Sequence, residues 1–432
     1  GALKADKPLV RLMASITLGR MGRKAKAAGD ALRLATSDRL VVVAMEAATA
    51  HVLVGAAPEA AAVTVEFLTA QLPHRVAAVR WRAADCLRRL KTAAAPAADE
   101  LVKRLDDSDE QVRAVAAQTL AGLGPAAAPA VPTFVRRLRS GEPFERYRAC
   151  EHLWKLGPVA QEAVPALIRT LEDKDSDVNL RNRSAETLGA IGPVAAPAVP
   201  ALIEVLKGRE ESVRGTVIEA LGRIGPAAKD AVPHLMPLLE SRSEFDRART
   251  AETLGRIGPD ASSALAKLEP CLTDESKMVR VWAHWATAKI TGKSAPAVQP
   301  LIDLLADKTP ARGLVGGLWR SDAAEALGLL GPAAAPAIPA LIAALADDGR
   351  FGGLRAAGQA LALIGPAVRP HLPALLKALT SSRFPDEPLI SLVAELGPQD
   401  KDVEAALRTL LDSQYDSVVD AAEAALEKRK RK

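Results

Sequence analysis

A Leu/Ile-Gly-Pro tripeptide that returns every 32–39 residues constrains this chain more than any other feature. Its glycines stand at 124, 157, 192, 225, 258, 331, 365 and 397, and Gly292 fills the same slot without the proline. Weaker copies lie at Met21-Gly22, Val54-Gly55 and Leu90-Lys91. Eight residues after most of these glycines comes a second proline: Pro132, Pro165, Pro200, Pro233, Pro300, Pro339 and Pro373. A period of this size marks a repeat architecture, in which each unit is one supersecondary element.

Each period reads as two helices. Glycine after an apolar run is a helix stop, and the proline behind it cannot continue the helix. The second proline opens helix A, where its missing N–H costs nothing. Helix B then runs to the next glycine. Counted back from that glycine, positions −12, −8, −4 and −1 are mostly Val, Ala, Leu and Ile/Leu. At about 100° per residue they make one buried stripe of roughly 80°. Two helices cannot bury such stripes alone, so neighbours must stack and stability is nearest-neighbour. Aromatic residues are only 3% of the chain, so the core must be built from Ala, Leu, Val and Ile. That suits closely packed helices better than sheets.

The prediction is an all-α fold: an α-solenoid, a right-handed superhelix of about twelve two-helix repeats, occupying 1–432 as a single body. Residues 1–22 match a helix B with no helix A before it, which predicts a partial leading repeat and a longer parent chain. Residues 23–91 are divergent and basic, 92–427 regular, and 428–432 a basic tail. The first residue is Gly1, so a presequence removed before it stays open.

Charge narrows the partner classes. The net charge is +5. Residues 1–91 carry 15 basic and 7 acidic side chains, and the tail Lys428-Arg429-Lys430-Arg431-Lys432 adds five cations. The remainder is therefore mildly acidic. This distribution supports either an anionic partner at one end or a solvated surface with cations at the last helix's C-terminus. Cys86, Cys150 and Cys271 are far apart in apolar contexts, which predicts buried free thiols and a reducing, cytoplasmic location. The most apolar stretch, 41–70, is interrupted by Glu46, His51, Pro58, Glu59 and Glu66, so no membrane span is expected there.

Catalytic motifs are thin. The six histidines are scattered over different units, with no H-x-x-x-H or H-E-x-x-H, so no metal site is expected. Neither a G-x-S-x-G nor a P-loop occurs, and no cofactor is implied.

The pattern V-R-x-x-A-x-x-x-L-G-x-I-G-P, as in Val213-Arg214 to Gly225-Pro226, resembles the HEAT repeat, and in particular the bacterial phycobilisome-lyase-type HEAT-like subset. The resemblance covers nearly the whole chain and is weakest over 23–75. Such repeats host scaffolds, lyase subunits, hydroxylases and a DNA glycosylase, so the resemblance speaks to fold more than to function. The His-Glu pairs expected of iron-binding HEAT-type hydroxylases are absent.

Two columns of helix B have different meanings. Position −11 is arginine in most units: Arg11, Arg80, Arg113, Arg146, Arg181, Arg214, Arg247 and Arg320. A carboxylate often stands four residues earlier, at Asp109, Glu142, Asp177 and Glu210, which predicts i, i+4 pairs at the helix start. HEAT proteins use a similar Asp–Arg ladder to bind repeats together, so this column is taken as structural. Positions −9, −6 and −2 fall within ~60° on the face away from the core. They hold Arg82, Arg89, Arg148, Glu151, Lys155, Arg183, Glu186, Glu219, Arg223, Arg249, Glu252 and Arg256. Arg249–Glu252–Arg256 predicts one run of intrahelical pairs. In HEAT solenoids helix B lines the concave surface, so the resemblance implies a groove of alternating charge. The plain alternative is a solvated, salt-bridged face.

A groove of this kind suits a protein or peptide with its own charge pattern, while phosphate wants uncompensated cations. The reading is therefore a non-enzymatic scaffold. A chromophore-lyase-like or other catalytic subunit is one alternative. Nucleic-acid or anionic-surface binding through residues 1–91 and the tail is another. The enlarged turns after Gly292, Gly331 and Gly365 offer a second patch of Lys308, Arg312, Arg350, Phe351 and Arg383. The alternative there is that Phe351 and Phe384, like Phe144 and Phe245, plug the start of helix B. Trp282 and Trp285 are expected in the core.

Overall fold

The computed structural model describes residues 1–208, 211–309, 318–345, 353–381, 387–413 and 415–430. Its described residues contain helices and no strand. A leading B helix, Pro8–Met21, is followed by twelve A–B pairs ending in Lys401–Thr409 and Asp416–Lys430. The chain divides into two compact units, Gly1–Leu202 and Ile203–Lys432. Within each, B helices pack on their own A helices and beside the next B helix, as in Pro143–Leu156 against Val131–Ser140 and Val178–Ile191, which is what the solenoid reading requires. The three cysteines are buried and unpaired. Burial pushes the Cys86 thiol up to about 12 and Cys150 to about 11. Trp282 and Trp285 are buried and meet edge to face at 5.6 Å.

The junction between repeats is more structured than a stop followed by a start. Seven residues from the marker glycine form a 3-10 helix, as at Gly124–Ala130, Gly192–Ala198 and Gly331–Ala337. With three residues per turn, positions three apart eclipse. The alanines three and six residues after the glycine therefore share one side, and both are buried: Ala127 with Ala130, Ala195 with Ala198, Ala334 with Ala337. This G-P-x-A-x-x-A signal is in the sequence and was not used in the reading above. The second proline accordingly falls at the first or second position of helix A, except Pro300, which lies inside Ala295–Ala306. The glycine itself has φ between 54° and 82° at 124, 157, 192, 225, 258, 331 and 365. Lys91 takes the same role at φ 54° and is the one non-glycine with positive φ among the described residues.

Position −3 of helix B is a second glycine in several units. A β-carbon on Gly328 would stand 2.8 Å from the Ala360 backbone, and one on Gly255 would stand 2.5 Å from the Trp285 ring. These glycines let adjacent B helices touch.

The Arg column is structural, but its partners differ from those expected. Arg80 donates through Nη1 to the His74 and Arg75 carbonyls, and through Nε and Nη2 to Asp107, 27 residues on, at 2.8 and 2.6 Å. Arg11 holds Asp38 in the same way, and Arg247 holds Asp274. Each aspartate lies in the A–B turn of the next repeat and accepts the backbone N–H two residues on, at Leu40, Asp109 and Ser276. Arg214 reaches Asp246 on the following B helix at 2.8 Å, and Arg146 reaches Ser176 Oγ. Among the described residues, Asp109 and Glu142 do not pair with the arginines four residues on. Asp109 folds back as an N-cap onto the Val112 N–H, and Asp177 caps the Asn179 and Leu180 N–H groups. Their carboxylates satisfy the open first turn, while Arg113 donates to the Asp107 and Ser108 carbonyls and Arg181 to the Leu171 carbonyl of their own repeats. Glu142 makes no cap bond, and Glu210 lies outside the described residues.

Among the described residues no continuous helix is long enough to cross a bilayer. The run Val178–Lys207 has suitable hydropathy, but it breaks at Gly192, φ 77°, into Val178–Ile191, a 3-10 turn and Val199–Lys207. A span needs about 20 consecutive helical residues.

Candidate interaction face on the B helices

Positions −9, −6 and −2 do lie together on the B helices, and they pair across repeats as well as along them. In the first unit Arg82 and Arg89, both on Ala77–Leu90, grip Glu46 of the preceding helix Val41–Leu53 at 2.9 and 2.5 Å. Glu46 is fully buried and Arg89 also touches Asp85. Glu46 occupies position −9, where four other helices carry arginine, at Arg82, Arg148, Arg183 and Arg249. That reversal of sign was legible, but the divergence of 23–75 hid the register.

On Pro143–Leu156 and Val178–Ile191 the chemistry becomes aromatic. Arg183 pairs with Glu186 at 2.6 Å and donates to the Tyr147 hydroxyl at 2.9 Å. Its guanidinium lies 5.3 Å from the Tyr147 ring centre and 5.9 Å from that of Trp154. Glu151 pairs with Lys155 at 3.3 Å. Arg148 makes no ion pair among the described residues. It lies 5.1 Å above the ring of Phe144, which is 65% exposed. Phe144 therefore does not plug the helix start, and neither does Phe245, 44% exposed. Both sit at the second position of their helix, and their rings project outward.

In the second unit Arg256 reaches Glu252 at 2.7 Å, as expected, and Arg223 reaches Glu219. Arg249 does not join that run. It turns to Glu219 on the preceding B helix at 3.3 Å. Glu252 is left with one cation and sees Glu325 and Glu219. Burial first, then those like charges, hold its carboxyl above the usual range. Asp322 is pushed up to about 7 by burial and by Glu325 and Glu252. The intervening helix Lys277–Thr291 presents Ala283 and Ala286 at positions −9 and −6, so no cation separates these carboxylates. Asp322, again an acid at position −9, was missed for want of that three-helix view.

A cleft opens beside this face. It lies between Glu110–Ala121 and Pro143–Leu156 and has a volume of about 110 Å³. Its floor is Ala114, Ala117, Ala149 and the ring of Phe134. Phe134 stacks on His152 at 5.1 Å, and burial holds His152 down at about 4, so that ring is neutral near pH 7. The rim carries Arg113, Arg137 and Arg148, with Glu110 and Glu145.

Of the secondary patch, Arg312, Arg350, Phe351 and Arg383 lie outside the described residues, and so does Phe384. Lys308 follows Asp307, whose carboxylate is held by Lys277 at 2.6 Å. The basic tail is partly spent: Lys428 pairs with Glu395, and Arg429 donates to the Gly397 and Asp400 carbonyls. In the N-terminal part Arg11, Arg80, Arg82, Arg88 and Arg89 hold carboxylates, but of those acids only Asp107 lies beyond residue 91, so most of the basic excess there stays uncompensated. Among the described residues no group of three or more His, Cys, Asp or Glu is placed to hold a metal ion.

The family model described as HEAT repeats matches in overlapping copies from 98 through 313, half of the chain. The model described as PBS lyase HEAT-like repeat matches 319–347. No curated protein matches. Among solved structures, importin beta in an ammonium sulfate condition is similar at 14% identity, with all of this chain and 68% of that one covered, and a TM-score of 0.48. The CpcE–CpcF complex of phycocyanin lyase from Nostoc sp. PCC7120 is similar at 21% identity, with 69% of this chain and 94% of that one covered, and a TM-score of 0.39.

Proposed function

The chain belongs to the HEAT-repeat family, and from that premise we propose that it is a non-enzymatic scaffold binding a protein or peptide partner along the face of its B helices. One observation carries the reading. Charges on this face are compensated across repeats, by Arg82 and Arg89 on Glu46 and by Arg249 on Glu219. The face is therefore a patterned surface of both signs rather than a basic stripe, which suits a polypeptide with its own charge pattern better than a phosphate backbone. By family resemblance this is the concave side.

The test is affinity capture with the intact chain, followed by crosslinking. Arg223→Glu and Arg249→Glu together should abolish capture and lower the melting temperature little, because their pairs with Glu219 are exposed and such pairs contribute about 0–1 kcal/mol each. Unchanged capture, or crosslinks confined to the A helices, overturns the reading.

The match to the PBS lyase HEAT-like repeat over 319–347 favours a second reading, a chromophore-lyase-like subunit. Transfer of a tetrapyrrole to an acceptor protein by the purified chain would support it.

A further inference from the structure

We infer that the edge formed by the turns leading into the first three B helices docks on an anionic lipid surface, with Lys7, Arg39 and Arg75 at the headgroups and Leu9, Leu40 and Val76 at the acyl boundary. This edge is separate from the B-helix face and does not depend on the scaffold reading.

The turns repeat one another in their bonding. The Leu40 N–H donates to Asp38 Oδ1, and the Val76 N–H donates to His74 Nδ1. Arg39 and Arg75 therefore hold the same middle position in successive repeats, and Leu40 and Val76 the same N-cap position. Lys7 is the N-cap of Pro8–Met21. Arg11 on that helix donates back to the Ala5 and Asp6 carbonyls and forward to Asp38, so one side chain joins the first two turns. Val41–Leu53 and Ala77–Leu90 pack side by side, which sets the third turn beside the second.

Charge and exposure point to the ligand. Lys7, Arg39 and Arg75 are exposed, and among the described residues none of them holds a carboxylate. Asp38 is taken by Arg11, so Asp6 is the one exposed acid in these turns, against three cations. In the fourth turn the sign changes, with Asp106, Asp107 and Asp109. Beside each cation an aliphatic side chain faces water: Leu9 is 67% exposed, Leu40 39% and Val76 46%. Leucine and valine are poor N-caps, and later B helices use Asp109, Asp177 and Ser243 there. Two successive turns thus forgo a cap and expose a branched side chain, a broken local rule with no structural return. A membrane surface rewards both halves of the pattern. Cations gain from anionic headgroups, and aliphatic groups leave water at the interface. Nucleic acid rewards only the cations, because unpaired bases stack on aromatic rings and none of the exposed large apolar side chains in 1–91 is aromatic.

The test is sedimentation of the full chain with vesicles of phosphatidylcholine and phosphatidylserine in equal parts, against pure phosphatidylcholine. The anionic vesicles should carry the chain down, the neutral ones should not, and added salt should release it. Lys7→Gln, Arg39→Gln and Arg75→Gln together should weaken binding about a hundredfold, at about fivefold per cation. Leu40→Ser and Val76→Ser together should weaken it about tenfold. Their melting temperature should not fall, since serine is the better N-cap. Equal binding to neutral vesicles, or binding that survives the triple variant, overturns the inference. A duplex oligonucleotide that displaces the vesicles, and binds the double serine variant as tightly as the original chain, overturns it in favour of nucleic acid. A dimer that the triple variant dissolves overturns it in favour of a second copy.

Discussion

Arg80 on one B helix and Asp107 in the A–B turn of the next repeat form a two-point ion pair, 2.8 and 2.6 Å, with both residues only 8% exposed. The pair fastens two repeats by their polar parts, beside the apolar stripe. Removing Asp107 takes from the buried Arg80 its one carboxylate among the described residues, and removing Arg80 leaves Asp107 only the longer contact to Arg104 at 3.5 Å. Arg80→Ala or Asp107→Ala should therefore cost about 3 kcal/mol, read by urea unfolding. Replacing both by leucine should cost less than the sum, and a double-mutant cycle measures the coupling. A loss below 0.5 kcal/mol for the single variants would refute the fastening role.

Stability should rise as pH falls from about 8 toward 6.5; below that the buried neutral His152, held down at about 4, opposes the rise, because the unfolded chain takes up that proton first. Burial and two neighbouring acids raise the Asp322 carboxyl to about 7, and Glu252 moves the same way. The folded chain therefore binds these protons more tightly than the unfolded chain, and proton uptake stabilises it. Below about pH 4 the trend should reverse. The Lys277 hydrogen bond holds Asp307 down at about 2, and Arg11 holds Asp38 below its usual range, so their contribution is lost as pH falls through those values. Asp322→Asn should raise the melting temperature at pH 8 and flatten the upper part of the profile. A melting temperature that climbs from pH 6.5 to 8 would contradict this.

Lys91→Gly should stabilise the chain. Lys91 occupies a backbone region, φ 54° and ψ −134°, that side chains with a β-carbon rarely adopt. The strain there is of order 1–3 kcal/mol, partly offset by the entropy a glycine regains when unfolded. The expected gain is about 1 kcal/mol by denaturant titration. Lys91→Ala, which keeps the strain, should give none of it.

Gly328→Ala should destabilise. In an exposed helix this change is favourable by about 1 kcal/mol. Here the added carbon meets the Ala360 backbone at 2.8 Å, and a backbone cannot rotate away as a side chain can. Overpacking of this kind costs about 1–3 kcal/mol and should win. Thermal melts of the two forms decide it, and Gly29→Ala, with nothing within 4 Å, is the control.

The two-helix repeat, its buried stripe and the structural nature of the Arg column were legible because each depends on residues within one period. Gly124, Leu123 and Pro125 stop a helix wherever they stand. The cleft was not legible, since Phe134 and Ala149 become neighbours only when a B helix closes on its A helix and on the B helix before it. Phe144 was misjudged for a related reason: two residues into a helix, the same ring can point to core or to solvent.

The sequence by itself determined that this chain is a stack of paired helices and which face of each B helix is polar, because helical period and the Gly-Pro stops act locally. Only the tertiary structure decided how those polar residues are spent. Whether Arg249 meets Glu252 or Glu219, and whether Arg148 meets anything, depends on the spacing and register of adjacent B helices. That register is set by the contact of small residues such as Gly255 and Gly328 with the next helix, across more than thirty residues of chain.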